Sequence, residues 1–226
     1  MTAPRVVALV PAHNEADRIG GTIAALRSLP ALTEVVVVDD GSDDTTASVA
    51  LAAGASVFKV RRRAGKGGAL EGALRRIAPA DVWLLADGDL GASARGLSAV
   101  LSEVLEGRAD MAIAVLPPVQ GGGFGLVKRA AARAIRLLSG FEGHESLSGQ
   151  RAVTGETLAA CRPVARGFGV EAALTIDAVR RGFRVVELEA GLSHRPTGRD
   201  LQGFAHRGRQ GLDILLALVP RALGLR

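Results

Sequence analysis

Acidic residues crowd two short stretches of the chain, Asp39-Asp40-Gly41-Ser42-Asp43-Asp44 and Asp87-Gly88-Asp89. Two carboxylates separated by one glycine can converge on one hard cation. Mg2+ and Mn2+ are held in this way, by one or two carboxylates together with phosphate oxygens and water. Asp39 and Asp40 follow four valines, and a carboxylate at such a strand tip can accept hydrogen bonds from ribose hydroxyls or a base imino group. Asp43, Asp44 and Thr45 read instead as capping and first-turn residues of the next helix. Arg61-Arg62-Arg63-Ala64-Gly65-Lys66-Gly67-Gly68 supplies a cation, Lys66, and backbone amides at a helix start, which suits a diphosphate. It lacks the Walker spacing and the hydroxyl residue after the lysine. The plain alternatives are a turn in which Asp caps a helix, and a solvated basic loop.

These residues act together only if the fold carries them to one place. Buried strands are expected at 6–11, 34–39, 55–60, 82–86 and 110–116, with helices at 15–29, 43–53, 66–77 and 93–106 between them. Strands alternating with helices imply βαβ units and a mostly parallel sheet flanked by helices, an α/β fold. In such sheets ligands bind beyond the carboxyl ends of the strands, where Pro11, Ala12 and Glu15, Asp39 and Asp40, the basic loop, and Asp87 and Asp89 all fall. The glycine-rich 117–125 is the clearest composition break. It divides a single domain into a half at 1–116 and a half at 117–226. The second half is expected to hold helices at 124–138, 155–160, 170–181 and 201–218, and a strand at 184–188, with an irregular stretch up to Gly149.

Composition narrows the classes. The hydrophobic fraction is 48% with only 3% aromatic residues and no tyrosine, which argues against a single-stranded nucleic-acid binder. A net charge of +5 and a pI near 10.5 favour an anionic partner. The one cysteine, Cys161, cannot form an internal disulfide, which fits a reducing compartment. No secretory signal or membrane span is visible, so a cytoplasmic protein is expected, or one at the inner face of a membrane. The stretch Leu212–Arg221, apolar with basic flanks, reads as a packed helix, a homodimer contact or, for a lipid acceptor, a membrane-touching segment.

VPAHNE, VVVVDDGSDDT, GKGGAL and ADGDL, in that order and spacing, resemble the family-2 glycosyltransferases and their GT-A-fold relatives. Gly167-Phe168-Gly169-Val170-Glu171 and His194-Arg195 are similar to segments of the bacterial glucosyl-3-phosphoglycerate synthases, and the polyprenyl-phosphate mannosyltransferases look more distant. The resemblance covers nearly the whole chain. It implies that Pro11, Ala12 and Glu15 line a nucleotide pocket and that Asp40 binds the base, with Asp39 beside it. It further implies that Lys66 contacts the nucleotide, that Asp87 and Asp89 form the metal motif with His194 as a further ligand, and that Glu171 faces the sugar or the acceptor. Two departures stand out. His13 occupies the place where an aromatic residue is expected, and Leu147–Arg151 does not reproduce the family's acceptor-phosphate groups.

The implied activity is metal-dependent transfer of a sugar from a nucleoside-diphosphate sugar, UDP- or GDP-linked. The acceptor is expected to be anionic, a small phosphorylated molecule or a lipid phosphate. Asp89 and Glu171 would be central to catalysis, Glu171 as base or sugar-positioning group. Arg151, Arg195, Arg199 and Arg207 would offer guanidinium groups to the acceptor. A dinucleotide-dependent oxidoreductase would need G-x-G-x-x-G after the first strand, and VPAHNEADRIGG does not supply it. A basic nucleic-acid or membrane-surface binding module is the non-enzymatic alternative, and no nucleic-acid partner is expected.

Overall fold

The computed structural model describes residues 3–116, 125–192 and 201–225. Among the described residues seven strands form one sheet: β1 (Val6–Ala12), β2 (Glu34–Asp39), β3 (Ser56–Lys59), β4 (Val82–Leu85), β5 (Met111–Val115), β6 (Arg151–Thr154) and β7 (Val185–Glu189). Their order across the sheet is β3-β2-β1-β4-β6-β5-β7. All pairings are parallel except those of β6, which runs antiparallel to both β4 and β5.

β6 is the one strand the periodicity does not announce. Four residues opening on an arginine carry no strand pattern, and the expected irregular stretch ran up to them. Tertiary placement decides the matter. β6 fills the slot between β4 and β5, where Arg151, Ala152 and Val153 are all buried. The sheet therefore interleaves the two halves of the chain.

The valine-rich strands are buried on both faces, as expected of a parallel sheet with helices on each side. Alternate residues enter opposite cores. Val6, Ala8, Val10, Val35 and Val37 pack with α1 (Ala16–Arg27), α2 (Thr46–Ala52) and α4 (Ser98–Leu105). Val7, Leu9, Val36 and Val38 pack on the other face with α3 (Gly65–Leu74), α6 (Gly155–Ala160) and α7 (Val170–Arg180). Outside α7 lie α5 (Gly125–Ser139) and α8 (Leu201–Ala222). A 3-10 helix at Gly91–Leu97 precedes α4, in place of the single long helix expected at 93–106. No described helix is long and apolar enough to cross a membrane.

Candidate active site

The register of the sheet gathers the strand ends. Ala12 lies opposite Asp39, and Leu9 opposite Leu85, so Pro11–Glu15, Asp39–Ser42 and the segment after β4 share one rim. Asn14 adopts φ 58°, and its Oδ1 accepts from the Asp43 amide at 2.9 Å while its own amide donates to Ser42 Oγ at 3.0 Å. The Glu15 amide donates to Thr46 Oγ1 at 2.8 Å. The loop after β1 is thus laced to the loop after β2.

Asp39 and Asp40 divide the work at the tip of β2. Asp39 Oδ1 accepts from the Ser42 amide at 3.0 Å. Asp40 is buried, and its two oxygens take the amides of Ala64 at 2.7 Å and Gly65 at 2.8 Å. Those amides open α3, so a carboxylate expected to face a base draws the start of α3 onto β2. The expected caps of α2 are arranged differently. Thr45 is the N-cap without a side-chain bond. Asp44 accepts from both the amide and the hydroxyl of Thr46, and from the Ala16 amide of α1 at 3.3 Å.

Lys66, in the first turn of α3, is the centre of the site. Its Nζ lies 2.6 Å from Asp87 Oδ1 and 2.7 Å from Glu171 Oε1. Burial alone would lower the lysine pKa. The two carboxylates outweigh it and hold the ammonium well above the ordinary lysine range. Lys66 is therefore a fixed positive charge at any neutral pH. The other oxygen of Asp87 accepts from Gln150 Nε2 at 2.7 Å. Gly149 passes so close that a Cβ there would collide with Lys66 Nζ and sit 3.0 Å from both Asp87 carboxylate oxygens. Pro11, Leu70, Leu85, Gly149 and Glu171 line the small hollow beside Lys66.

Asp89 is fixed from α1. Arg18 Nη1 donates to its carbonyl at 3.1 Å, and Thr22 Oγ1 donates to the Gly88 carbonyl at 2.8 Å. Glu15 Cγ would be 3.6 Å from a Cβ on Gly88, which sets the Glu15 side chain beside the Asp87–Asp89 loop. Among the described residues no three His, Cys, Asp or Glu side chains cluster as a protein-only metal cage. Two carboxylates on one short loop are hard oxygen donors, and they suit a divalent cation that brings phosphate oxygens and water with it.

Arg151 is not where an acceptor contact was expected. Its side chain is only 1% exposed, because β6 is an inner strand. The guanidinium donates to the carbonyls of Ser146, Ser148 and Glu171 and to Thr175 Oγ1. Burial pulls its pKa down to about 10, still far above neutrality. Arg151 therefore supports Glu171 and the 146–150 loop from beneath, with its donors already committed to protein oxygens. His194, Arg195 and Arg199 lie outside the described residues, as does the side chain of Arg207. The fold brings Pro11, Lys66, Asp87 and Glu171 together, with Asp40 behind Lys66 and Asp89 two residues on. Gln150 is the contributor that the motifs did not mark. It reaches Asp87 only because β6 pairs with β4.

This rim on this sheet defines a nucleotide-sugar transferase type of fold, and comparison with known proteins assigns it. A sequence model of Glycosyl transferase family 2 matches residues 7–164, and the chain belongs to that family: it is a glycosyltransferase. It is 30% identical over 229 residues to the glycosyltransferase AglJ of Haloferax volcanii, covering 98% of this chain and 73% of that one. It is 30% identical over 213 residues to an uncharacterised glycosyltransferase of Mycobacterium tuberculosis, covering 92% and 94%. Among solved structures it is similar to glucosyl-3-phosphoglycerate synthase from Mycobacterium tuberculosis, a GT-A fold. The complex of that enzyme with Mn2+, UDP-glucose and glycerol 3-phosphate superposes with TM-score 0.79 at 28% identity over 96% of this chain and 80% of that one. Its complex with Mg2+ and UDP gives 0.79 at 29% identity, covering 96% and 79%.

Proposed function

We propose that the chain transfers a hexosyl group from UDP-glucose or a close relative to a small phosphorylated acceptor, and that it requires Mg2+ or Mn2+. The observation that carries this reading is Lys66, locked between Asp87 and Glu171 at 2.6 and 2.7 Å on the rim where the strands end. It is joined by the ligands of the neighbouring synthase, namely UDP-glucose, Mn2+ and glycerol 3-phosphate. Residues 1–116 would hold the donor and 117–226 the acceptor.

In this reading Pro11, Ala12, Glu15, Asp39 and Asp40 frame the nucleoside, and Asp87 and Asp89 hold the cation, with His194 completing the set. The cation, when bound, neutralises charge on the diphosphate. Lys66 adds a second positive charge whose position is fixed before the donor arrives, so no reorganisation is needed as the leaving group charges up. The bond from the anomeric carbon to the diphosphate breaks with its electron pair on the leaving oxygen. The new bond forms to the acceptor oxygen, and the acceptor's proton passes to the departing diphosphate. Glu171 is held 2.7 Å from the Lys66 ammonium, which fixes its carboxylate in place as an acceptor for a sugar hydroxyl. Between the two roles expected for it, positioning is favoured. Arg195 and Arg199 remain the candidates for the acceptor's phosphate.

Calorimetric titration of UDP-glucose with and without Mn2+ tests the reading. Asp89→Ala should remove the metal-dependent part of donor binding, roughly a hundredfold in affinity, with the melting temperature nearly unchanged. Wild-type affinity in that variant would overturn the proposed site.

A further inference from the structure

Helix α8 has two apolar faces. Ile214, Ala217 and Leu218 face inward and are buried. Leu212, Leu215, Leu216 and Val219 face outward, exposed by 55, 56, 61 and 44%. The charges of this stretch are turned away from that outer face. Arg221 is buried against Asp177, and Asp213 accepts the Phe168 amide at 3.1 Å. A helix at a water-facing surface carries polar residues on its outer side. A continuous leucine stripe there marks a surface that something covers.

The neighbouring helix indicates what covers it. Ala131 and Ile135 of α5 and Ile214 and Leu218 of α8 enter one cluster over Ala172 and Ile176 of α7, so the outer faces of α5 and α8 look the same way. On α5 that outer face holds Arg129, Arg133 and Arg136, spaced by four and then three residues, with Leu137 beside them 76% exposed. Arg180 ties the two ends together, donating to the carbonyls of Leu138 at 2.7 Å and Arg221 at 2.8 Å. Glu142 pairs with Arg136 at 2.7 Å. A leucine stripe beside a row of arginines is the pattern of a helix lying in a bilayer interface.

We propose that α5 and α8 form a docking face for a membrane surface rich in anionic headgroups, with the leucines in the interface and the arginines on headgroup phosphates. A second copy of the chain would also cover leucines. A two-fold contact, however, sets the same patch against itself and would bring the arginine rows of the two copies together, whereas anionic lipid complements them. Docking need not disturb the donor site, which opens on the sheet's rim. The proposal therefore stands or falls separately from the transfer reaction.

Flotation of the full chain with vesicles is the test, using phosphatidylcholine alone and phosphatidylcholine with one-third phosphatidylglycerol, at low and high salt. Binding is expected on the anionic vesicles, weakened roughly tenfold or more by high salt or by omission of the anionic lipid. Leu216→Asp and the double variant Arg129→Gln/Arg133→Gln change exposed positions. Each should lower vesicle binding by roughly tenfold while calorimetric donor binding and melting temperature stay as in the wild type. Failure of the wild type to float with anionic vesicles overturns the proposal. A dimer in light scattering that Leu216→Asp turns into a monomer, without vesicle binding, assigns the face to a contact between copies instead. Retained flotation in both variants also overturns it.

Discussion

Lys66 is the charge on which the rim depends. Removing it leaves Glu171, 8% exposed, and Asp87, 36% exposed, without the cation between them. Breaking a fully buried pair costs about 3–5 kcal/mol. Water reaches Asp87, so Lys66→Ala should cost less, about 2 kcal/mol, read as a lower urea midpoint. The same variant should weaken donor binding, and unchanged affinity by calorimetry would remove Lys66 from the site. Gln150→Leu should leave the ion pairs standing but remove the amide that Asp87 accepts from. It should weaken Mn2+-dependent donor binding roughly tenfold and leave metal-free binding alone; equal loss with and without metal would make Gln150 structural. The two residues differ in how visible they are in the sequence. Lys66 sits in a glycine-flanked basic loop whose residue types signal a phosphate. Gln150 carries no such signal, because its bond to Asp87, 63 positions away, is created by the pairing of β6 with β4. Arg151 was misread for the related reason that guanidinium chemistry is visible in a sequence and burial of a four-residue strand is not.

At the scale of elements, the site is made by the way α3 lies on the segment before α7. A Cβ on Gly67 would overlap the carbonyl oxygen of Ala165 and stand 3.1 Å from Arg166 Cα. The first turn of α3 therefore rests directly on that backbone, which holds Lys66 within reach of Glu171. Farther along the same helix, a Cβ on Gly72 would meet Phe58 Cε1 at 3.9 Å, an ordinary contact. The two glycines should respond with opposite signs. Gly72→Ala should stabilise by about 0.5–1 kcal/mol through helix propensity. Gly67→Ala should destabilise by about 1–3 kcal/mol through overpacking and reduce donor affinity. Melting temperatures that rise in both variants would show that α3 does not need the close approach. The βαβ order and the strand-end loops were legible because buried valine runs and glycine breaks are local signals. The end of the 93–106 helix that proved 3-10, and β6 itself, were not, since packing against other elements decided them.

At the scale of the molecule, titrating groups tie segments distant in sequence and set a window of stability. Glu71 is pushed up by burial, but hydrogen bonds from Arg162, Arg75 and the Val164 amide win and hold it below the usual carboxylate range. Asp110, hydrogen-bonded by Arg184, and Asp44, hydrogen-bonded by Thr46, are also held low. A carboxylate whose pKa is lower folded than unfolded stabilises above the unfolded value, about 4, and loses that contribution as the pH falls through the folded one. Lys66 works in the other direction: its folded pKa is raised, so its contribution is whole below the unfolded value, about 10.4, and is lost as the pH rises beyond it. The melting temperature should therefore be flat between about pH 6 and 9 and fall below about pH 4; above about pH 10 the lowered pKa of Arg151 opposes the loss from Lys66. Glu71→Gln combined with Asp110→Asn should flatten the acid limb. If the double variant loses stability with falling pH as steeply as the wild type, these pairs do not control the acid limb.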